Sequence, residues 1–346
     1  MTRHKGKLKI LIFNVNWLGD VLFSTPAIKL IRKIYPHAFI ACIVPPRCKE
    51  ILEENPNLDE IIVFDERGIH RSIWEKLKFI KLLYRKKFNK AFLFHRSFTR
   101  ALVLYLARIP ERIGYYTKKR FYLLTSAIKS PDTSKMHRAD YYLYIVAEHE
   151  KYTGEINFKP DFFISQNDKE IVAALLKEEG VGDNDFTVVL NPGGNWTQKR
   201  WPKENFSVLS AVLIRDYGAK IILTGAAKDK DLADEIANLS GMPLINLCGK
   251  TNLKQLAALM QKVDVVVSND SGPLHIGSSV GAKIIGIFGP TSILLTGPYK
   301  IDNSKTISRD VGCAIPCYKQ GCSDIRCMKA VTIDDVLDVI KKITGK

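Results

Sequence analysis

The chain has 346 residues, of which 46% are hydrophobic and 25% charged, and its formal net charge is +16. This length fits two domains of ordinary size, and the composition excludes the disordered and fibrous classes. No run reaches the roughly 18 apolar residues that a transmembrane helix needs, and polar residues interrupt the apolar start before a signal-peptide core could form. These features predict a cytoplasmic globular protein with two lobes.

The positive charge is concentrated in the first half of the chain. Residues 1–165 contain 30 Lys and Arg against 16 Asp and Glu, a net charge of +14, whereas residues 166–346 contain 22 against 20, a net charge of +2. An asymmetry of this size indicates a polyanionic partner, which could be nucleic acid, an anionic membrane surface or a phosphorylated lipid. The alternative is that the cations only solvate the surface.

Strands and helices alternate along the first half. The segment "LKILIFNV" (8–15) is typical of a buried parallel strand, and a helix should follow at 21–34. Further strands are predicted at 38–46, 58–64 and 90–95, with a basic helix at 72–88. The region 109–152 is rich in Tyr, Arg and Lys and has a looser pattern, which predicts an insertion facing a ligand.

The alternation restarts in the second half. Strands are predicted at 186–194, 219–225, 243–249, 263–270 and 282–291, and helices at 205–217, 230–239, 253–261 and 332–343. Such a pattern indicates βαβ units with right-handed crossovers. We therefore expect an α/β protein with two Rossmann-like, doubly wound parallel-sheet domains (1–165 and 166–330) and a cleft between them.

Ligands of open parallel sheets bind beyond the carboxyl ends of the strands. After the first strand, in "NWLGDVLFSTPAI", Gly19 permits a tight turn and Asp20 lies at the mouth of the next helix. Asp20 could cap that helix or act as a base. Neither G-x-G-x-x-G nor the P-loop pattern is present, which argues against a dinucleotide oxidoreductase.

Two glycine turns follow strands of the second half. In "NPGGNWTQKRWPKENF", Gly193 and Gly194 expose backbone amides, and Lys199 and Arg200 follow, which favours a pyrophosphate cradle over an ordinary surface turn. In "LTGAAKDKD" the polar groups suit a ribose, although Asp229 could equally cap a helix.

The stretch "SNDSGPLHIGSSVG" (268–281) predicts an anion site at a helix start. Pro273 fits the first turn, and the amides of Gly272 and Leu274 can point at an anion together with the helix dipole. Asp270 would repel phosphate, so it fits a sugar hydroxyl or a neighbouring amide. His275 could donate to phosphate or pack in the core.

The motifs "GDVLFSTPAI", "NPGGNWTQKRWPKENF", "LCGKTNLKQLAALMQKVDVVVSNDSGPLHIGSSVGAKIIGIFGPT" and "GPY" resemble glycosyltransferase family 9, the lipopolysaccharide heptosyltransferases, in order over nearly the whole chain. The resemblance implies a GT-B fold, with an N-terminal acceptor domain, a C-terminal nucleotide-sugar domain and a terminal helix (331–346) that packs back toward the first domain. It also implies inverting transfer of heptose from ADP-heptose to the inner core on lipid A, without a metal or other cofactor.

The resemblance further implies roles for individual residues. Asp20 matches the general base, Lys199 the donor-phosphate lysine and Asp270 the carboxylate near the heptose, while Asp229 matches a ribose contact only loosely. The expected donor-binding set is Gly193, Gly194, Lys199, Arg200, Asp229, Asp270, Ser271, Gly272, Pro273, Leu274 and His275. Charge and region, more than motif, suggest as acceptor-side candidates Arg67, Arg71, Arg112, Arg120 and Arg138.

Four cysteines, Cys313, Cys317, Cys322 and Cys327, lie close together in the chain. Their spacing lacks the C-x-x-C pairs of zinc ribbons. A structural metal site and reduced thiols or a labile disulfide both stay open.

Two rival functions also stay open. The same fold could transfer another nucleotide-activated sugar to a different surface glycan or a protein, or the basic lobe could belong to a non-catalytic binder of nucleic acid or membrane. A pure binder does not need the set Asp20, Lys199 and Asp270. The favoured interpretation is a monomer at the inner face of the inner membrane, with a nucleotide-sugar donor, a phosphorylated lipid acceptor and no nucleic-acid partner.

Overall fold

A computed structural model describes residues 7–317, 319 and 321–346. The chain divides into two compact units, Met1–Asp161 and Phe162–Lys346, so the division falls four residues before the predicted boundary. Within the described ranges, no helix is both long and apolar enough to cross a membrane.

The first unit contains one six-stranded parallel sheet in the order β3-β2-β1-β4-β5-β6. Its strands are β1 (Lys9–Phe13), β2 (Phe39–Val44), β3 (Glu60–Val63), β4 (Lys90–Leu93), β5 (Glu111–Tyr115) and β6 (Ser126–Ile128). Its helices are α1 (Leu18–Phe23), α2 (Thr25–Ile34), α3 (Lys49–Leu52), α4 (Ile73–Lys86), α5 (Phe98–Leu106) and α6 (Arg138–Glu150).

Strand β1 is central because its apolar sequence suits burial on both faces. Leu11 pairs with Ala41 of β2 and with Ala91 of β4, and all three are fully buried. Parallel sheets covered by helices on both faces use such continuous apolar strands. The carboxyl end of β1 is thereby held at the middle of the sheet edge, where α1 begins.

The prediction of an insertion at 109–152 is wrong. This region supplies β5, β6 and α6, which extend the sheet and pack against α2. Three of its tyrosines, Tyr115, Tyr141 and Tyr142, are buried, and the Tyr115 ring stacks on Tyr141 at 4.3 Å between centroids, whereas Tyr116 and Tyr122 are exposed. The short strand sequence "ERIGY" mixes charges with glycine, and that mixture hid its strand pattern.

The second unit contains a six-stranded parallel sheet in the order β12-β11-β10-β7-β8-β9. Its strands are β7 (Thr187–Asn191), β8 (Lys220–Leu223), β9 (Ile245–Asn246), β10 (Val265–Asn269), β11 (Ile284–Ile287) and β12 (Ser304–Ile307). Its helices are α7 (Gln166–Glu178), α8 (Lys203–Tyr217), α9 (Lys230–Ser240), α10 (Leu253–Lys262), α11 (Gly272–Ser279), α12 (Ile293–Thr296), α13 (Arg326–Lys329) and α14 (Ile333–Thr344).

The terminal helix α14 belongs to the core of the second unit. Val336 and Ile340 are buried in that core, and α14 packs against α8. Thr332 and Asp335 form a capping box at its start, with the Thr332 hydroxyl accepting from the Asp335 amide. The apolar face of α14 thus packs on the second unit.

Candidate active site

The loops after β7 and β10 are tied together by one buried amide side chain. Because β7 and β10 are neighbours, their carboxyl ends meet at the same edge of the sheet. The Nδ2 of Asn269 donates to the Pro192 carbonyl at 2.8 Å, and its Oδ1 accepts from the Trp201 amide at 2.9 Å. Trp201 is buried and its indole donates to the Val331 carbonyl. The loop that carries Lys199 is thus held at both ends.

Asp270 and Lys199 form a buried ion pair at this edge. The Lys199 ammonium lies 2.7 Å from Oδ2 of Asp270, the Thr291 hydroxyl donates to the same oxygen at 2.6 Å, and Nε2 of His275 lies 3.6 Å from Oδ1. Burial alone would raise the pKa of Asp270, but the hydrogen bond from His275 and the charge of Lys199 hold it well below its usual range. The carboxylate therefore stays ionised and positions the lysine.

Helix α11 begins directly after this pair. Ser271 precedes its first turn in an extended conformation, without a side-chain hydrogen bond to the helix start. Its hydroxyl is buried and makes no hydrogen bond within the described part of the chain. Gly272, Pro273 and Leu274 form the first turn, in which the N–H groups of Gly272 and Leu274 have no intrahelical acceptor. This end of α11 offers donors and a positive dipole to an anion, while His275 is buried beside Asp270.

Gly193 allows the loop after β7 to pack closely against Asp229. A Cβ added to Gly193 would lie 2.9 Å from Cγ of Asp229, whereas one added to Gly194 would meet nothing nearer than 3.8 Å. Oδ2 of Asp229 accepts from the Ala226 amide at 3.0 Å, and the side chain is buried. Asp229 occupies the N-cap position of α9 but makes no side-chain cap hydrogen bond there; its carboxylate closes the turn after β8 instead.

The Arg200 side chain braces the loop that contains Gly194. Its Nη2 and Nε donate to the Gly194 carbonyl at 2.6 and 3.0 Å, and its guanidinium lies 3.8 Å from Asp229. The structure therefore gives Arg200 a bracing role, while Lys199 is the cation at the site edge.

In the first unit, Asp20 is paired with a tyrosine that the sequence did not single out. Asp20 lies in the first turn of α1, and the residue at the cap position is Trp17. The Tyr142 hydroxyl donates to Oδ1 of Asp20 at 3.2 Å. Burial and the charge of Asp20 raise the pKa of Tyr142 well above its ordinary value, and the charge of Arg138 opposes that rise. The phenol therefore stays protonated at neutral pH and keeps donating to the carboxylate.

The five predicted acceptor-side arginines do not share one environment. Arg138 is the first residue of α6 and precedes Tyr142 by about one helical turn on the same helix. Arg67 and Arg71 are exposed on the segment before α4. Arg112 donates Nε to the Leu123 carbonyl at 2.8 Å and packs on the Tyr105 ring.

Arg120 does not fit the predicted set of acceptor-side arginines. It is fully buried, and its guanidinium donates to the carbonyls of His95 at 2.6 Å and Tyr115 at 2.7 Å. Its charge stabilises the backbone around β5, so a direct contact with an acceptor is not consistent with its position. Burial lowers the pKa of Arg120 to about 10.

A buried arginine, Arg100, contacts the segment that follows β1, and the sequence-based predictions missed it. Arg100 is 3% exposed, donates Nη1 to the Asn14 carbonyl at 2.7 Å, and lies 2.5 Å from Glu66 and from Oδ1 of Asn16. These contacts fix the segment between β1 and Asp20. The quoted motif already contained Asn16, but its partner Arg100 lay in an apolar helix that gave no sign of it.

The four clustered cysteines line one cavity of about 300 Å³ in the second unit, together with Trp196. Burial raises the pKa of the Cys327 thiol, and nearby Cys313 and Cys322 act in the same direction. Within the described ranges, no three His, Cys, Asp or Glu side chains are placed to hold a metal ion. The four thiols line the same cavity but are not arranged as ligands of one metal ion.

Comparison with known proteins identifies the family. The model of glycosyltransferase family 9 (heptosyltransferase) matches residues 76–325. The chain is 26% identical over 301 residues to lipopolysaccharide heptosyltransferase 2 of Salmonella typhimurium, covering 84% of this chain and 85% of that protein.

Solved structures show the same fold. The ADP-heptose lps heptosyltransferase II of E. coli superimposes with a TM-score of 0.81 at 23% identity, over 98% of this chain and 99% of that one. The E. coli heptosyltransferase WaaC with ADP gives a TM-score of 0.73 at 19% identity, over 97% and 100%. These matches confirm the predicted GT-B fold. The chain belongs to glycosyltransferase family 9 (heptosyltransferase) and is a glycosyltransferase.

Proposed function

We propose that this enzyme transfers heptose from ADP-heptose, with inversion, to the inner core of lipopolysaccharide at the inner face of the inner membrane. The observation that carries the proposal is the Lys199 and Asp270 pair at the amino end of α11 in a family 9 chain. The names of its relatives support the sugar and the acceptor class. The net charge of +14 in residues 1–165 supports an acceptor that carries phosphates on an anionic membrane.

The donor end of the reaction uses residues of the second unit. When the bond from the sugar C1 to the diphosphate breaks, negative charge develops on the departing ADP. Lys199 and the first amides of α11 would stabilise that charge. Asp270 is not a ligand for the phosphates, because like charges repel; it would hold Lys199 in place and accept from a sugar hydroxyl.

The acceptor end uses Asp20. In the proposed step, Asp20 takes the proton of the acceptor hydroxyl while that oxygen forms the new bond to C1 and ADP leaves from the opposite face. The Tyr142 hydroxyl, which donates to Oδ1 of Asp20 at 3.2 Å, would orient the carboxylate for this step. Arg138, one helical turn before Tyr142 on α6, would contact an acidic group of the acceptor.

A calorimetric titration with ADP, UDP and GDP, followed by a transfer assay with ADP-heptose and a Kdo–lipid A acceptor, tests the proposal. We expect binding of ADP in preference to the other two and one heptose added per acceptor. Preference for UDP or GDP would contradict the donor assignment and favour another nucleotide sugar. Binding of ADP without transfer to any lipid A acceptor would contradict the acceptor assignment.

A further inference from the structure

Helix α4 of the first unit exposes bulky apolar side chains. Trp74 is 71% exposed, Ile73 64% and Leu77 45%, and Ile69 in the turn before the helix is 70% exposed. The opposite side of α4 is anchored in the core, where the Phe79 ring stacks on another buried phenylalanine, Phe64, at 4.4 Å. The exposed side is therefore a fixed, ordered surface.

Helical geometry groups these side chains with cations. At 100° per residue, one side of α4 presents the residues that we call the α4 face, namely Ile73, Trp74, Leu77, Lys78, Lys81, Tyr84 and Arg85. All of them are exposed. Apolar and aromatic groups are thus interleaved with three positive charges on one side of one helix.

All charged residues of α4 are basic except one. The helix carries Lys76, Lys78, Lys81, Arg85 and Lys86 against Glu75 as its one acidic residue. Glu75 lies 2.6 Å from the Lys78 ammonium, so its charge is matched within the helix. The Lys86 ammonium lies 2.6 Å from Glu60 of β3, so the unmatched cations are Lys76, Lys81 and Arg85, and these attract an anionic partner.

The mixture of side chains decides among anionic partners. A nucleic acid would use the cations and could stack bases on Trp74 or Tyr84, but it offers nothing apolar to the aliphatic Ile73 and Leu77. A second copy of this chain would bring an equally positive face against this one. A lipid surface satisfies both groups, since aliphatic and aromatic side chains enter the boundary of headgroups and acyl chains while Lys and Arg stems extend to the phosphates.

We propose that the α4 face docks on an anionic lipid bilayer, with Ile73, Trp74 and Leu77 entering the headgroup region and Lys81 and Arg85 at the lipid phosphates. The inference rests on the proposed function, because a lipid-anchored acceptor would explain why this enzyme meets a membrane. The docking itself depends on α4 and on no residue of the candidate active site.

The test is co-sedimentation of the full chain with vesicles of phosphatidylcholine alone or mixed with phosphatidylglycerol, without donor or acceptor. We expect binding to the anionic vesicles that weakens with salt. Binding should weaken by at least about tenfold in Lys81→Glu/Arg85→Glu, because two attractive charges near the anionic surface become repulsive. It should weaken as much in Trp74→Ser/Leu77→Ser, because this variant loses the apolar groups that enter the headgroup region.

Matched controls lie on the second unit. Leu239→Ser on α9 removes an equally exposed leucine, and Lys169→Glu/Lys177→Glu on α7 changes the net charge as much as the paired α4 charge variant. Both should bind vesicles as the unchanged protein does. ADP titration of every variant shows whether the fold and the proposed donor site are intact.

A conservative variant keeps the proposal falsifiable if the serine variants fold poorly. Brominated lipids should quench the fluorescence of the bound protein, and Trp74→Phe should remove most of that quenching while binding persists. No vesicle binding, equal binding to neutral and anionic vesicles, or equal loss in the controls would overturn the proposal. So would a dimer that the α4 variants dissociate, since the face would then join two copies. Failure here with intact ADP binding and transfer would leave the proposed function standing.

Discussion

The Lys199 ammonium lies 2.7 Å from the Asp270 carboxylate, although 71 positions separate the two residues in the chain. A diphosphate that binds at the start of α11 must therefore share this lysine with a carboxylate that is already ionised. In the proposed function, this pairing would let a negative group belong to an anion site without opposing it, because Asp270 would position the cation that contacts the phosphates.

Lys199→Ala should weaken ADP binding by about 10- to 100-fold, because a charge-assisted hydrogen bond contributes about 1.5–3 kcal/mol. Calorimetric titration measures the effect. Lys203→Ala is the matched control, since Lys203 is a neighbouring cation whose amine pairs with Glu235 at 2.6 Å. An equal loss in both variants would point to overall charge and not to a specific phosphate contact.

Asp270→Asn should change the pH dependence of stability. The pKa of Asp270 is held below its unfolded value of about 3.9. Its ionisation therefore stabilises the fold fully above that value, and the contribution is lost as the pH falls toward the folded pKa. Urea unfolding between pH 3 and 7 should show a difference between the two proteins that shrinks below about pH 4. A difference that stays constant with pH would contradict the assignment.

Gly193→Ala and Gly194→Ala form a matched pair within one loop. The first places a Cβ 2.9 Å from Cγ of the buried Asp229, and the second meets nothing nearer than 3.8 Å. Overpacking costs about 1–3 kcal/mol, so Gly193→Ala should lower the thermal midpoint by several degrees while Gly194→Ala changes it little. Equal midpoints for the two variants would show that Asp229 moves aside freely.

Asp20→Asn should reduce transfer by about 10²- to 10⁴-fold, the usual contribution of a general base, and leave ADP affinity unchanged. Tyr142→Phe should cost less. Because the Tyr142 hydroxyl stabilises the ionised carboxylate, its removal should move the acidic limb of kcat/KM to higher pH. Full turnover by Asp20→Asn would end the base assignment, and an unmoved pH limb would reduce Tyr142 to a packing residue.

Alkylation should separate the cysteines by burial. Cys42 and Cys48 are fully buried, and burial raises their pKa to about 12 and about 11. Cys313 is exposed. Iodoacetamide under native conditions, followed by peptide mass spectrometry, should modify Cys313 first and leave Cys42 and Cys48 intact until the protein is unfolded. Early modification of Cys42 would indicate local opening of β2.

The sequence predicted the central strands well because parallel sheets buried on both faces require continuous apolar runs. Edge elements carry less of that signal. Strand β12 has the sequence "SKTI" with only Ile307 buried, and nothing marks it as a strand until β11 is there to pair with it. Helix α7 had a readable start, a capping box of Ser165 and Asp168, but it follows an irregular segment that concealed it.

The site residues divide in the same way. Glycines and the start of α11 are local features of the chain, and the motifs predicted them. Tyr142, Arg100 and Thr291 act through partners far away in sequence, so their types alone could not assign them. Arg120 shows the converse error, since a positive charge in a basic region suggested the surface whereas five-residue spacing from Tyr115 lets it cap backbone carbonyls in the core.

The hydrogen bond from Tyr142 to Asp20 spans 122 positions. Asp20 leaves the ribosome early, with β1 and α1, but its phenol donor arrives only with α6, the last helix of the first unit. A nascent chain shorter than about 150 residues does not yet contain the whole of α6 and therefore lacks the completed pair. In a longer chain the pair still forms late, because closing so long a loop requires the intervening sheet to be ordered. The hydrogen bond to Asp20 is thus completed only at the end of folding of this unit, and a truncated chain that stops before α6 lacks it.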